Sequence, residues 1–304
     1  MGTLKGQNFR ILVYDSTASK YKCIGMSTNC VITMNNNTEQ SETKDDIGMA
    51  AKPTMASQSW QVQVDSLNVA DTGAMLTAIK SMTPFTLLWD ETSTTDNQTA
   101  LNSQSARTGQ AYLSDATFTF NDRENSSKSL TFIGASEISE FISTATTEVL
   151  SAVSYTKGQF VRLFLSSDNT NTPTEVIAAA KQLQLHVSLQ MEDATTKDTE
   201  GSFQVQEPVG LSYDISTTAL LGGNDTITSS VQSQLFQDIE DIYKAGSPVK
   251  WQIANVSGAN NRTKGAVICS GSALIQTLKT NAPNKQNATY TAQLQGWGAY
   301  TVGS

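Results

Sequence analysis

The sequence predicts a mainly β protein: two tandem copies of one sandwich-like or barrel-like sheet, each with a single flanking helix. Three observations predict it. Landmarks of the first half return in the same order in the second, and an internal repeat fixes the architecture before any single element does. Runs alternating apolar with polar residues, such as WQVQVDSLNV (60–69) and LQLHVSLQM (183–191), have the period of a strand with one buried face. Each half also holds one stretch of helical periodicity ahead of a proline, Pro84 or Pro248.

In order along the chain, Lys5-Gly6-Gln7 before FRILV returns as Lys157-Gly158-Gln159 before FVRLFL, a turn leading into an apolar strand. Glu39 corresponds to Glu192, Thr43-Lys44-Asp45 to Thr196-Lys197-Asp198, and Trp60 to Tyr213. AMLTAIKSM (74–82) reads as a short helix. VQSQLFQDIEDIYKAG (231–246) reads as a longer one, with Leu235, Phe236, Ile239, Ile242 and Tyr243 on one face and Gly246 as its stop. SMTPFTLLWD (81–90) then matches AGSPVKWQIA (245–254). GQAYLSDATF (109–118) matches GAVICSGSAL (265–274), which sets Gly109 on Gly265, and SLTFIG (129–134) matches TAQLQG (291–296). The Asn/Thr/Ser-rich stretches 91–108 and 166–174 read as loops. The segment 136–155 joins the halves, partly helical or extended. The division is 1–145 and 146–304, each half long enough for a core of its own.

With 38% apolar and 16% charged residues, the chain is globular and polar. No apolar run reaches the ~18–20 residues that span a bilayer, and MGTLKGQNFR carries no apolar signal region; the expectation is a protein with no membrane insertion. The net charge of −8 opposes a phosphate-gripping surface, which needs clustered Lys and Arg. The first 152 residues hold 10 basic and 16 acidic side chains, the remainder 10 and 12. Cys23, Cys30 and Cys269 are odd in number and lack metal-site spacing, so they read as buried or incidental thiols.

Candidates for chemistry are few. The one histidine, His186, lies on the polar side of its strand and reads as a surface or interface residue, because no nucleophile signature accompanies it. No phosphate-binding glycine motif occurs. Glu39, Glu42, Asp45 and Asp46, and in parallel Glu192, Asp193 and Asp198, form acidic clusters. Their spacing matches no calcium loop, and Lys44 and Lys197 sit within them. They read as solvated or interface charge. No catalysis and no cofactor or metal is expected. Trp89, Trp251 and Trp297 would be the platforms of a carbohydrate-binding adhesive sandwich, but their apolar strand contexts read as core.

The ordered set of Gly6 with FRILV, Thr43-Lys44-Asp45, Trp60 with QVQV, the helix near 74–82, Gly109 with AYLSDATF and Gly134 after SLTFI resembles the major tail tube proteins of long-tailed bacteriophages. The second half carries the pattern with departures: it lacks the Tyr of AYLSDATF. The resemblance implies a structural virion protein of the tail, assembled in the bacterial host cytoplasm. Its rings would stack into a hollow tube that conducts double-stranded DNA through an acidic lumen. Tape-measure, tail terminator and distal tail proteins are the implied partners, and the inner tube of a contractile injection system is the related alternative. Two tube domains per chain imply a trimeric ring with pseudo-six-fold symmetry. Glu42, Thr43, Lys44, Asp45, Asp46, Thr196, Lys197 and Asp198 are the candidate loop residues between rings or subunits, carried on extended arms at 35–59 and 188–212.

Overall fold

The computed structural model describes residues 5–40, 53–67, 69, 71–141, 145–149, 155–196, 202–221, 233–234, 236–257 and 263–303. The first half runs β1 (Phe9–Asp15), β2 (Lys20–Cys23), β3 (Ser27–Gln40), β4 (Pro53–Ser66), α1 (Thr72–Ser81), β5 (Phe85–Glu91), β6 (Arg107–Asn121) and β7 (Ser127–Gly134). Two short strands, β8 (Ser139–Glu140) and β9 (Thr147–Glu148), follow in the connection, which contains no helix among the described residues. The second half runs β10 (Val161–Leu165), β11 (Glu175–Ile177), β12 (Ala180–Asp193), β13 (Gln206–Leu220), β14 (Ser233–Gln234), α2 (Phe236–Ala245), β15 (Val249–Ser257), β16 (Thr263–Asn281) and β17 (Thr289–Val302).

Both halves pair their strands antiparallel in one order. It reads β2–β1–β5–β6–β7–β4–β3 in the first and β11–β10–β15–β16–β17–β13–β12 in the second. The likeness extends to irregularities: a bulge between Ser27 and Asn29 on β3 recurs between Ala180 and Gln182 on β12. A bulge alters twist and register locally, so the same bulge at the same rung fixes the correspondence of the two hairpins residue by residue.

The core of each half is organised by one aromatic lying over two glycines. Trp60 packs on Trp89 with ring centroids 5.4 Å apart, and Tyr213 on Trp251 at 5.6 Å. A Cβ on Gly109 would lie 2.6 Å from the Trp60 ring, and one on Gly296 would lie 2.6 Å from the Tyr213 ring. Gly134 and Gly271 complete the two sets. These positions have no room for a side chain, which is why glycine recurs there. The counterpart of Gly109 is therefore Gly271, not Gly265: Gly109 pairs with Leu87, and Gly271 with Trp251 at the equivalent rung. β16 starts earlier than β6 and pairs out to Ser257, so a match anchored on the first glycine of the segment slips along the strand.

α1 and α2 are each ten residues long. The expected longer second helix is not found, because Ser233 and Gln234 pair in parallel with β11 and the helix begins at Phe236. Both helices stop at a left-handed residue, Met82 (φ 52°) and Gly246 (φ 61°), the usual helix-ending conformation. Leu76, Ile79 and Ile239 are fully buried and Ile242 nearly so, but Tyr243 is 46% exposed. Trp89 and Trp251 are core residues as expected, whereas Trp297 is 56% exposed. The pleat explains Trp297: Gly296 faces Tyr213, so its neighbour faces the opposite way. The two halves do not have separate cores. One apolar cluster contains Phe118 and Phe132 together with Leu185 and Ile215.

Candidate assembly interface

The halves meet at a strand seam. β12 pairs antiparallel with β6 from Gln182 opposite Asn121 to Ser188 opposite Asp115. β6 uses one edge twice, its first residues for β5 and the remainder for β12, while β7 and, at Arg107 and Thr108, β8 occupy the other edge. On the core face of the seam, Leu183, Leu185 and Val187 meet Phe120, Phe118 and Ala116, all at most 3% exposed. α1 lies near it, and its Leu76 carbonyl accepts a 2.6 Å hydrogen bond from the Tyr300 hydroxyl of β17. Phe203, between β12 and β13, is 6% exposed. It is held by backbone bonds from Gln58 N to Ser202 O (2.6 Å) and from Gln204 N to Gln58 O (2.8 Å).

On the opposite, polar face, His186 joins three strands. Its Nδ1 lies 2.8 Å from Asp214 of β13 and its Nε2 2.6 Å from Asp115 of β6. Burial lowers the imidazole pKa, but the hydrogen bonds to Asp214 and Asp115 outweigh it and hold the pKa above the ordinary 6.5. The folded form binds the proton more tightly than the unfolded one. The clasp therefore contributes fully below pH 6.5 and is lost as pH climbs through the raised value. His186→Gln should cost about 1 kcal/mol at pH 5.5, a typical value for partly exposed charge-assisted contacts, and markedly less at pH 9. Thermal unfolding of both proteins at both pH values measures this; a pH-independent difference would refute it.

The same two edges recur unpaired elsewhere. Among the described residues, no strand lies along the outer edge of β3, the counterpart of β12, or along β16 at 277–281, the counterpart of the β6 seam segment. Exposure follows. Met34 is 61% exposed where its counterpart Val187 is 0%, and Thr280 is exposed where Phe118 is buried. Tyr243 is exposed where Ile79 is 1% exposed. Open edges pair readily with another chain, and exposed apolar residues beside them mark a surface that is covered on assembly.

Of the predicted loop residues, Glu42, Thr43, Lys44, Asp45, Asp46, Lys197 and Asp198 lie outside the described residues. Thr196 is exposed just beyond β12. Within the 188–212 segment, Phe203 joins the core cluster. Among the described residues no three His, Cys, Asp or Glu gather in a metal-holding group, and no helix is long and apolar enough to cross a membrane. Cys23 and Cys269 are buried, and burial pushes the Cys23 thiol up to about 11, which suppresses thiolate chemistry.

Residues 158–302 match the family described as phage tail tube protein. The second half of the chain thus matches a phage tail tube domain. Among solved structures it is similar to the tail of an empty gene transfer agent particle, with TM-score 0.36 and 17% identity over 48% of this chain and 96% of that one. It is also similar to the SPP1 tail tube, with TM-score 0.36 and 17% identity over 48% of this chain and 78% of that one. No curated protein matches.

Proposed function

We propose that this chain is a tail tube protein with two tandemly duplicated tube domains, 1–145 and 146–304. Three chains would close into a ring of six domains, and the rings would stack into the conduit for genome delivery. The observation that carries the proposal is the seam between β12 and β6, with its two partner edges left open at opposite ends of the chain. Pairing β3 of one copy with β16 of the next repeats that seam. Counterpart for counterpart, it sets Met34 opposite Leu278, Thr33 opposite Lys279 and Ile32 opposite Thr280. Interfaces of one kind, repeated head to tail, close when the rotation permits, and closure removes every free edge.

Closure would put the face without helices toward the lumen. Its residues alternate with the buried ones: Gln61, Gln63, Thr117, Thr131, Ser216, Thr218, Gln293 and Gln295 are typical. Charges on it are few, with Asp65 and Asp115 in the first half and His186, Asp214 and Lys279 in the second. That lumen would be polar and weakly acidic, with sectors alternating in charge, and would offer DNA no cationic grip. Catalysis is not part of this reading. The inner tube of a contractile apparatus would use the same edges, and a sheath partner would distinguish it. Tape-measure, terminator and distal tail proteins would bind the ends. Symmetry analysis of tube images, or the mass of isolated rings, tests the proposal. Three chains with true three-fold symmetry are expected; six full chains per ring would overturn it.

A further inference from the structure

We propose that the groove between β13 and β17 is the seat for the first hairpin (β3–β4) of a second copy of this chain. The inference rests on the ring reading above. The groove measures about 520 Å³ and is lined by Leu211, Tyr213, Asp214, Gly296 and Ala299 among others. Strand register gives its counterpart in the first half: Gln58 for Leu211, Trp60 for Tyr213 and Gly134 for Gly296.

That counterpart is smaller, about 340 Å³, because Phe203 of the second hairpin forms one of its walls with Gln58, Trp60, Glu137 and Ile138, and its neighbours Ser202 and Gln204 bond both backbone groups of Gln58. The second hairpin thus plugs into the half that its own β12 edge pairs with. The groove on the second half adjoins the open β16 edge, so its plug must come from whichever chain pairs there. That chain is a second copy, presenting β3. The sequence supplies a plug at the corresponding place: Phe203 precedes the start of β13, and Ile47 and Met49 precede the start of β4. Leu211 in place of Gln58 makes the wall more apolar. Val209 and Trp297, near it in sequence, are 52% and 56% exposed, as a surface awaiting cover would be.

A photo-crosslinking amino acid at Ala299, in tubes assembled from a mixture of light and heavy isotope-labelled chains, tests the seat. Crosslinks to a peptide spanning 41–52 of the other isotope are expected. Tubes that form but crosslink within one chain, or to another segment, overturn the inference and leave the ring reading standing. Failure of the unmodified chain to form rings or tubes overturns that reading instead. Ala299→Trp fills the groove at an exposed position, so the unassembled chain should keep its melting temperature while the assembled fraction falls at least tenfold. Assembly at the wild-type level would refute the seat.

Discussion

Met34→Lys should leave a folded chain that cannot assemble, whereas Val187→Lys should prevent folding. The two residues occupy one position in the two repeats, facing Trp60 across β4 and Tyr213 across β13. Val187 is 0% exposed because β6 and its half of the molecule cover it, while Met34 is 61% exposed because nothing described does. An ammonium at Val187 would be buried without a partner, at a cost of several kcal/mol, comparable with the ~5–15 kcal/mol that a whole domain has to spare. The same ammonium at Met34 stays hydrated in the isolated chain and costs almost nothing. The penalty falls due only when β16 of another copy closes over it, and in a ring of three it would recur at each of three seams. Circular dichroism and sedimentation of both variants separate the effects. Normal tubes from Met34→Lys would show that the β3 edge is not the contact.

The repeat was legible because it is written in residues with little freedom to vary. Trp60 and Tyr213 each need glycines on the next two strands of the sheet, β7 and β6 or β17 and β16, and prolines precede β5 and β15. Strand alternation placed β4 and β12 because one face of each is buried. Three things were not legible. Gly271 is masked in the sequence by Gly265, an earlier glycine of β16, because sequence does not mark which one lies under an aromatic ring. The start of α2 has no local signal, since the parallel pairing of Ser233 and Gln234 with β11 is a long-range contact. The assembly edges were missed for a deeper reason. An open edge has no pattern of its own: Cys30, Ile32 and Met34 alternate as Leu183, Leu185 and Val187 do, and only the absence of a neighbour distinguishes them. Phe203 left a signal, a lone aromatic in a polar arm, that points to a contact outside the arm.

Asp71→Asn should destabilise the chain by about 3–5 kcal/mol, the usual result of removing one partner of a buried ion pair. Lys128 of β7 points into the core face opposite Phe118, its side chain is 0% exposed, and its ammonium is bonded to the Asp71 carboxylate ahead of α1. Burial lowers the Lys128 pKa, and Asp71 counters it. With asparagine at position 71 the counter-charge is gone and the pKa falls further. The sign of the pH dependence follows. A lysine whose folded pKa lies below its unfolded one binds fewer protons when folded, so stability rises with pH. The gap between Asp71→Asn and the wild-type chain should therefore narrow between pH 7 and pH 10. Lys128→Met removes the buried charge itself and leaves Asp71, 30% exposed, able to hydrate. It should be near neutral, as hydrophobic replacements of buried ions often are, and it should rescue most of the loss when combined with Asp71→Asn. Urea unfolding of the two single variants and the double variant at both pH values measures every term. A double variant as unstable as Asp71→Asn alone would mean that Asp71 supports the start of α1 directly, and that the stranded ammonium is not the cause.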